Sequence, residues 1–122
     1  MTAAESIQIY PDRVEKVLCV RTVVCDEWRA AIQLRGELDL ANADQLRSEL
    51  THHLDAGRRL LRIDASGVSF IDSTALGALI WASQRCQAER GSLILTGLPA
   101  RIQRVLTVSG LDQLLLIDAA RR

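Results

Sequence analysis

The chain has 122 residues, 48% hydrophobic and 25% charged with only two prolines, a composition that fits one globular domain and excludes a disordered or fibrous chain. Fifteen basic and fifteen acidic residues cancel and aromatics reach only 3%, so neither bulk charge nor a stacking platform argues for direct nucleic-acid binding. The longest stretch without a polar side chain, Ala75 to Ala82, falls far short of the ~20 residues a membrane-spanning helix needs.

Residues 1–16 have weak apolar periodicity and contain Pro11-Asp12, so they read as a loose leader or edge segment, dispensable for folding. Their first residues lack the basic and apolar regions of a signal peptide. From Val17 the β-branched run to Cys25 predicts a strand, and the alternation from Ala30 to Gly36 predicts a second strand paired with it as a hairpin. Cys19, Cys25 and Cys86 leave one thiol unpaired in any disulfide scheme, and the expected setting is a reducing cytoplasm. Cys19 and Cys25 share strand parity and are expected to fill the core.

Ala43, Leu46, Leu50 and Leu54 recur at helical spacing, with Asn42 as the predicted N-cap and Gly57 as the stop. His52 and His53 diverge by about 100° on that helix and are expected at surface or half-buried positions, not as joint metal ligands. Residues 58–65 predict a buried strand, and Ser66-Gly67-Val68-Ser69 a polar loop leading to Phe70-Ile71-Asp72. A second helix follows from about Ser73 to Glu89. Its inner stripe is Leu76, Leu79, Ile80, Ser83 and Cys86 or Gln87, Trp81 falls off that stripe, and Gly91 ends the helix. Residues 92–97 predict a strand, and Pro99 opens a third helix with Ile102, Val105, Leu106 and Ser109 inward and Arg101 and Arg104 solvated. Gly110 closes it, and residues 111–118 offer a last strand before a tail over 119–122. The order β-β-α-β-α-β-α-β predicts an α/β fold, a mixed β-sheet with helices packed on it.

The stretch from Ile63 to Leu79 holds the most specific pattern: Asp64, Ser66, Gly67, Val68, then Phe70, Ile71, Asp72, Ser73, Thr74 and Leu76 at a helix start. With Gly36-Glu37-Leu38-Asp39 before the first helix and the closing segment 101–117, it resembles the STAS domain family, and within it the bacterial anti-sigma factor antagonists. The resemblance covers residues 17–118 and implies a single STAS domain that acts by binding a partner and not as an enzyme. It implies that the serine directly after the Asp, here Ser73, is phosphorylated by an anti-sigma factor of the histidine-kinase-like ATPase type. It implies further that a PP2C-type phosphatase resets the site; the residues themselves call for no cofactor, metal or membrane span.

The partner-binding set carried over comprises Glu37, Asp39, Asn42, Ser66, Asp72, Ser73, Thr74 and Ala75. Ala75 stands where the family pattern has Gly, which narrows the backbone approach for a kinase. Each member also has a plainer role: Ser73 and Thr74 as helix caps, Asp72 as a charge favourable to a helix start, Glu37 and Asp39 as a solvated turn. Phosphate at a helix start suits the helix yet brings about −1.5 to −2 charges into any docked surface. A second function class is a STAS subunit of a transport or lipid-trafficking complex, docking on an ATPase subunit through the same residues. The sequence contains no P-loop, Gly-x-Ser-x-Gly or Gly-x-Gly-x-x-Gly motif to support catalysis by the chain itself.

Overall fold

The computed structural model describes residues 18–118. The hairpin forms from β1 (Cys19–Cys25) and β2 (Arg29–Leu38), followed by α1 (Ala43–Asp55), β3 (Leu60–Ile71), α2 (Ser73–Ala88), β4 (Ser92–Thr96), α3 (Ala100–Ser109) and β5 (Leu116–Asp118). The element order is the predicted one, with a 3₁₀ turn, Leu111–Leu114, taking the first half of the expected last strand. The expected leader and tail, and Val17 with them, lie outside the described residues.

The strands lie side by side in chain order, β1 antiparallel to β2 and each later pair parallel. Every parallel step moves the same way across the sheet, so right-handed crossovers put all three helices on one face. The side-chain alternation agrees. Ile32 and Leu34, Leu61 and Ile63, and Leu93 and Leu95 are buried, while Gln33, Arg62 and Ile94 sit on the opposite face, more exposed. From the helix side, Leu46 and Leu50 of α1 and Leu79, Ala82 and Cys86 of α2 complete the core. Burial pushes the Cys86 thiol up to about 11, so this cysteine is core filler and not a nucleophile.

Four expectations are corrected. The first concerns Cys19 and Cys25, which are both exposed. β1 is the sheet's edge among the described strands, and a bulge between Thr22 and Val24 inserts one residue. Cys19 therefore pairs with Arg35 and Cys25 with Ala30, residues of opposite parity in β2, so equal parity in the sequence becomes opposite faces in the sheet. The second concerns Ser66–Ser69, which is not a loop: β3 runs unbroken through it, paired to β2 with two irregularities that each take up one extra β3 residue. Small polar residues there accommodate bulges. A Cβ on Gly67 would come within 2.8 Å of Arg35 Cγ.

The third concerns α3, whose buried stripe is only Ile102 and Leu106; Val105 is 62% exposed and Ser109 turns its hydroxyl to the Val105 carbonyl. Pro99 is the residue before this helix and not its first position. The fourth concerns the end of α2. Arg90 takes the left-handed conformation (φ 68°), whereas Gly91 is needed because a Cβ there would collide with the Arg59 carbonyl. Trp81 is half-buried beneath the Arg47 guanidinium of α1, 4.7 Å from its ring centre. His53 is buried, while His52 stays exposed.

Candidate partner-binding face

Two parallel strands, β2 and β3, end side by side, with Leu38 opposite Ile71. Past Asp64 the upper half of β3 has β2 as its paired strand, because its register with β4 ends at Asp64 and Thr96. The C-terminal ends of β2 and β3 therefore stand proud of the rest of the sheet, and α1 and α2 start from there.

The turn into α1 is laced by its own polar side chains. Asn42 Oδ1 accepts the Asp39 N–H at 2.9 Å, Asn42 Nδ2 donates to the Glu37 carbonyl at 2.7 Å, and Asp39 Oδ1 accepts the Ala41 N–H at 3.0 Å. Asn42 occupies the predicted N-cap position, yet its side chain makes no capping bond, because both of its polar atoms are spent on the turn behind it. Glu37 lies within β2 and not in the loop, half-buried, its carbonyl serving Asn42.

Asp72 joins this turn to α2. Its N–H donates to the Leu38 carbonyl at 3.0 Å, and its Oδ1 accepts the Ala75 N–H at 3.0 Å as the N-cap of α2. Its Oδ2 accepts the Leu40 N–H at 3.0 Å. The cap of α2 is thus Asp72 and neither hydroxyl that follows it. That frees Ser73, the first residue of the helix, which is exposed and forms no side-chain hydrogen bond among the described residues. Thr74 is exposed beside it. Ala75 differs from the others in the set: it is 0% exposed and its N–H is held by Asp72. Its methyl belongs to the core and offers nothing to a partner's surface.

Ser66 stands apart. Its N–H and hydroxyl serve Asp64, holding that carboxyl below its ordinary range with help from Gln33, and its Cβ lies beside Gly97 in the β4–α3 turn. Glu37, Asp39, Asn42, Asp72, Ser73 and Thr74 come together at the ends of β2 and β3; Ser66 faces a different turn.

Phe70 stands in the sequence motif itself and Leu40 in the turn between Asp39 and Asn42, but residue patterns do not show that their side chains are exposed, and they read Arg101 only as solvated. Leu40 is 73% exposed in the turn and Phe70 47% exposed near the end of β3, where it lies opposite Glu37 on the sheet face away from the helices. Arg101, expected to be merely solvated, donates to the Ser69 carbonyl at 2.6 Å and ties α3 to the raised end of β3. Leu40 carried a readable signal, an apolar residue between Asp39 and Ala41 in an otherwise polar turn. Chemically, the face presents an unengaged hydroxyl at a helix N-terminus, where first-turn N–H groups and the helix dipole favour added negative charge. No histidine lies near it to act as a base, since His52 and His53 are on α1 near its far end. Among the described residues no helix is long and apolar enough to cross a membrane, and no group of three or more metal-ligating side chains is gathered.

A family model described as "Mlab, STAS domain" matches residues 24–117. The anti-sigma-B factor antagonist of Bacillus subtilis (strain 168) is 33% identical over 88 residues, covering 72% of this chain and 80% of that protein. Among solved structures, an anti-sigma factor antagonist from Mycobacterium paratuberculosis matches with a TM-score of 0.74 at 18% identity, over 86% of this chain and 88% of that one. The Bacillus cell fate determinant SpoIIAA in its phosphorylated form matches with a TM-score of 0.64 at 20% identity, over 84% and 93%. At these identities the two structures establish likeness of fold.

Proposed function

This chain belongs to the STAS domain family, and from that membership and the face just described we propose that it is a cytoplasmic anti-sigma factor antagonist switched at Ser73. The unphosphorylated chain binds an anti-sigma factor of the histidine-kinase-like ATPase type and so releases a sigma factor. That partner, with its own Mg-ATP, transfers a phosphoryl group to Ser73, and a PP2C-type phosphatase removes it. The observation that carries this reading is the exposed Ser73 hydroxyl, left unengaged because Asp72 caps α2 in its place. The name of the 33% identical Bacillus subtilis relative points the same way.

The contact surface is Glu37, Asp39, Leu40, Asn42, Phe70, Asp72, Ser73 and Thr74, apolar at two points and acidic around the hydroxyl. Phosphate on Ser73 adds its charge next to Asp72, which the helix start tolerates and a closely packed partner does not. Ser66 and the Ala75 methyl drop out of the proposed surface, Ser66 for its place beside Asp64 and Gly97 and Ala75 for its burial.

The test is capture of partners from native lysate with and without Mg-ATP, followed by mapping of the modified residue by mass spectrometry. Capture of a kinase-type anti-sigma factor, lost on incubation with ATP as phosphate accumulates on Ser73, is the expected result. Phosphate on Thr74 alone, or stable capture with neither residue modified, refutes the switch. Capture of the ATPase subunit of a transport complex replaces this reading with the second function class.

A further inference from the structure

Asp72 uses one carboxylate on two segments that are 32 residues apart for one bond and three for the other: Oδ2 on the Leu40 N–H and Oδ1 on the Ala75 N–H, each at 3.0 Å. Capping α2 requires only one of these oxygens. The second bond fastens the backbone of Leu40, the most exposed residue of the β2–α1 turn among the large apolar ones, to the start of the helix that carries Ser73. We propose that Asp72 is a positioning residue that couples the charge on Ser73 to the setting of the Leu40 turn.

The route is local. Both donors together fix the plane of the carboxylate. A negative group on Ser73 repels that carboxylate from the adjacent position and competes for the first-turn N–H groups, the Ala75 N–H among them. Once Oδ1 is displaced, the carboxylate rotates and Oδ2 leaves Leu40. The bond from the Asp72 N–H to the Leu38 carbonyl is untouched, so the strands keep their register and the change is confined to residues 39–41. This inference rests on Ser73 being the modified residue and adds a second consequence of modification. A partner meets a new charge and at the same moment loses an apolar contact held in a fixed place.

The experiment is a double-mutant cycle on the full chain with no partner present, read by NMR hydrogen exchange at the Leu40 and Ala75 amides. Asp72→Asn keeps a carbonyl for the Ala75 N–H but turns an NH₂ toward the Leu40 N–H, donor against donor. Ser73→Glu supplies charge without a kinase. Each single variant is expected to accelerate Leu40 exchange about three- to tenfold, the range for loss of one modest hydrogen bond, while the Leu79 amide in the core of α2 exchanges as in the parent. The double variant is expected to exchange at Leu40 no faster than Asp72→Asn alone. Ser73→Glu leaving Leu40 as protected as before overturns the coupling, and so does an undiminished Ser73→Glu effect in the Asp72→Asn background. Asp72→Ser, which caps but cannot reach Leu40, repeats the test if the asparagine variant folds poorly. Because no partner enters the cycle, an additive result refutes the coupling and leaves partner capture standing. Failed capture overturns the functional reading, with the cycle still measurable.

Discussion

The two ends of the sheet handle their charges in opposite ways. At the end where β1 turns into β2, Asp26 accepts N–H bonds from Trp28 and Arg29 at 2.8 Å each and pairs with the Arg29 guanidinium at 2.9 Å. Those bonds hold its carboxyl down to about 2. Arg58 donates to the Asp26 carbonyl and meets His53 Nδ1 at 3.2 Å, and Arg59 lies over the Trp28 ring at 5.1 Å. Here carboxylate and cations satisfy one another. At the other end, Glu37, Asp39 and Asp72 form no ion pair among the described residues, and the carboxylates of Asp39 and Asp72 bond to backbone N–H groups of the turn and helix. At the first end the charges hold the hairpin to the segment after α1. At the second, unpaired carboxylates stand beside the exposed Ser73 hydroxyl, which is the difference on which the proposed partner face rests.

The largest effect that separates the two ends is expected at Ser73. Ser73→Glu should weaken partner capture tenfold or more, in line with the several kcal/mol that juxtaposed like charge costs (on the order of 2 or above). Ser73→Ala should retain capture, refuse phosphate and melt within about 0.5 kcal/mol of the parent, because the residue is exposed and is not the cap. A clearly lower melting point for Ser73→Ala would mean that the hydroxyl is structural.

Asp72→Ala comes next. It removes the cap and the Leu40 bond together and should cost about 1–2 kcal/mol, several degrees of melting temperature. Thr74→Ala, one turn position away and exposed, should leave both stability and phosphate transfer to Ser73 in place. Ser83→Ala probes neither end but the helix that joins the site to the core. The Ser83 hydroxyl is buried without a hydrogen-bond partner, so its removal should raise stability by about 1 kcal/mol, measured as a shift in the urea midpoint. A drop in that midpoint would imply that the hydroxyl has a partner after all.

The smallest effect belongs to the first end and depends on pH. A guanidinium can only donate, so His53 Nδ1 accepts from Arg58 and Nε2 carries the proton toward Thr22 Oγ1 at 3.0 Å. Burial, then the charges of Arg58 and His52 against the opposing Glu49, holds the His53 pKa below its usual 6.5. The unfolded chain therefore takes up the proton first as pH falls, so this stability is present above about 6.5 and is lost below it. Urea midpoints at pH 7.5 and 5.5 should show a fall that His53→Gln reduces; an equal fall in the variant would assign it elsewhere.

Much of this arrangement is legible in the chain because it follows from periodicity and local punctuation. Leu46, Leu50 and Leu54 recur at helical spacing, Gly57 and Gly110 adopt φ of +94° and +80° just past α1 and α3, and the motif around Asp72 announces a helix start. What stays hidden depends on contacts between segments distant in sequence. Ser66–Ser69 reads as a loop because Gly and Ser are poor strand formers, yet pairing with β2 overrides that preference. Val105 fits the inner stripe of α3 by spacing, but only Ile102 and Leu106 of that helix are buried. That Asp72 and not Ser73 caps α2 could be reasoned from either residue type; only the geometry decides it. The Leu40 bond, formed across 32 residues, has no signature in the chain at all.

The extra residue at Val23 has a consequence for the chain's behaviour among its own copies. β1 carries exposed Val23 and Val24 along an edge whose outer backbone groups face no other described strand. A regular edge of that kind is a template on which another extended chain can grow. The bulge between Thr22 and Val24 kinks the strand and increases its local twist, which spoils the template without a proline or lysine in the strand to block it. Deleting Val23 would straighten that border, leave Cys19 and Cys25 opposite Arg35 and Ala30 as before, and convert a protected edge into a seed for strand-to-strand polymerisation.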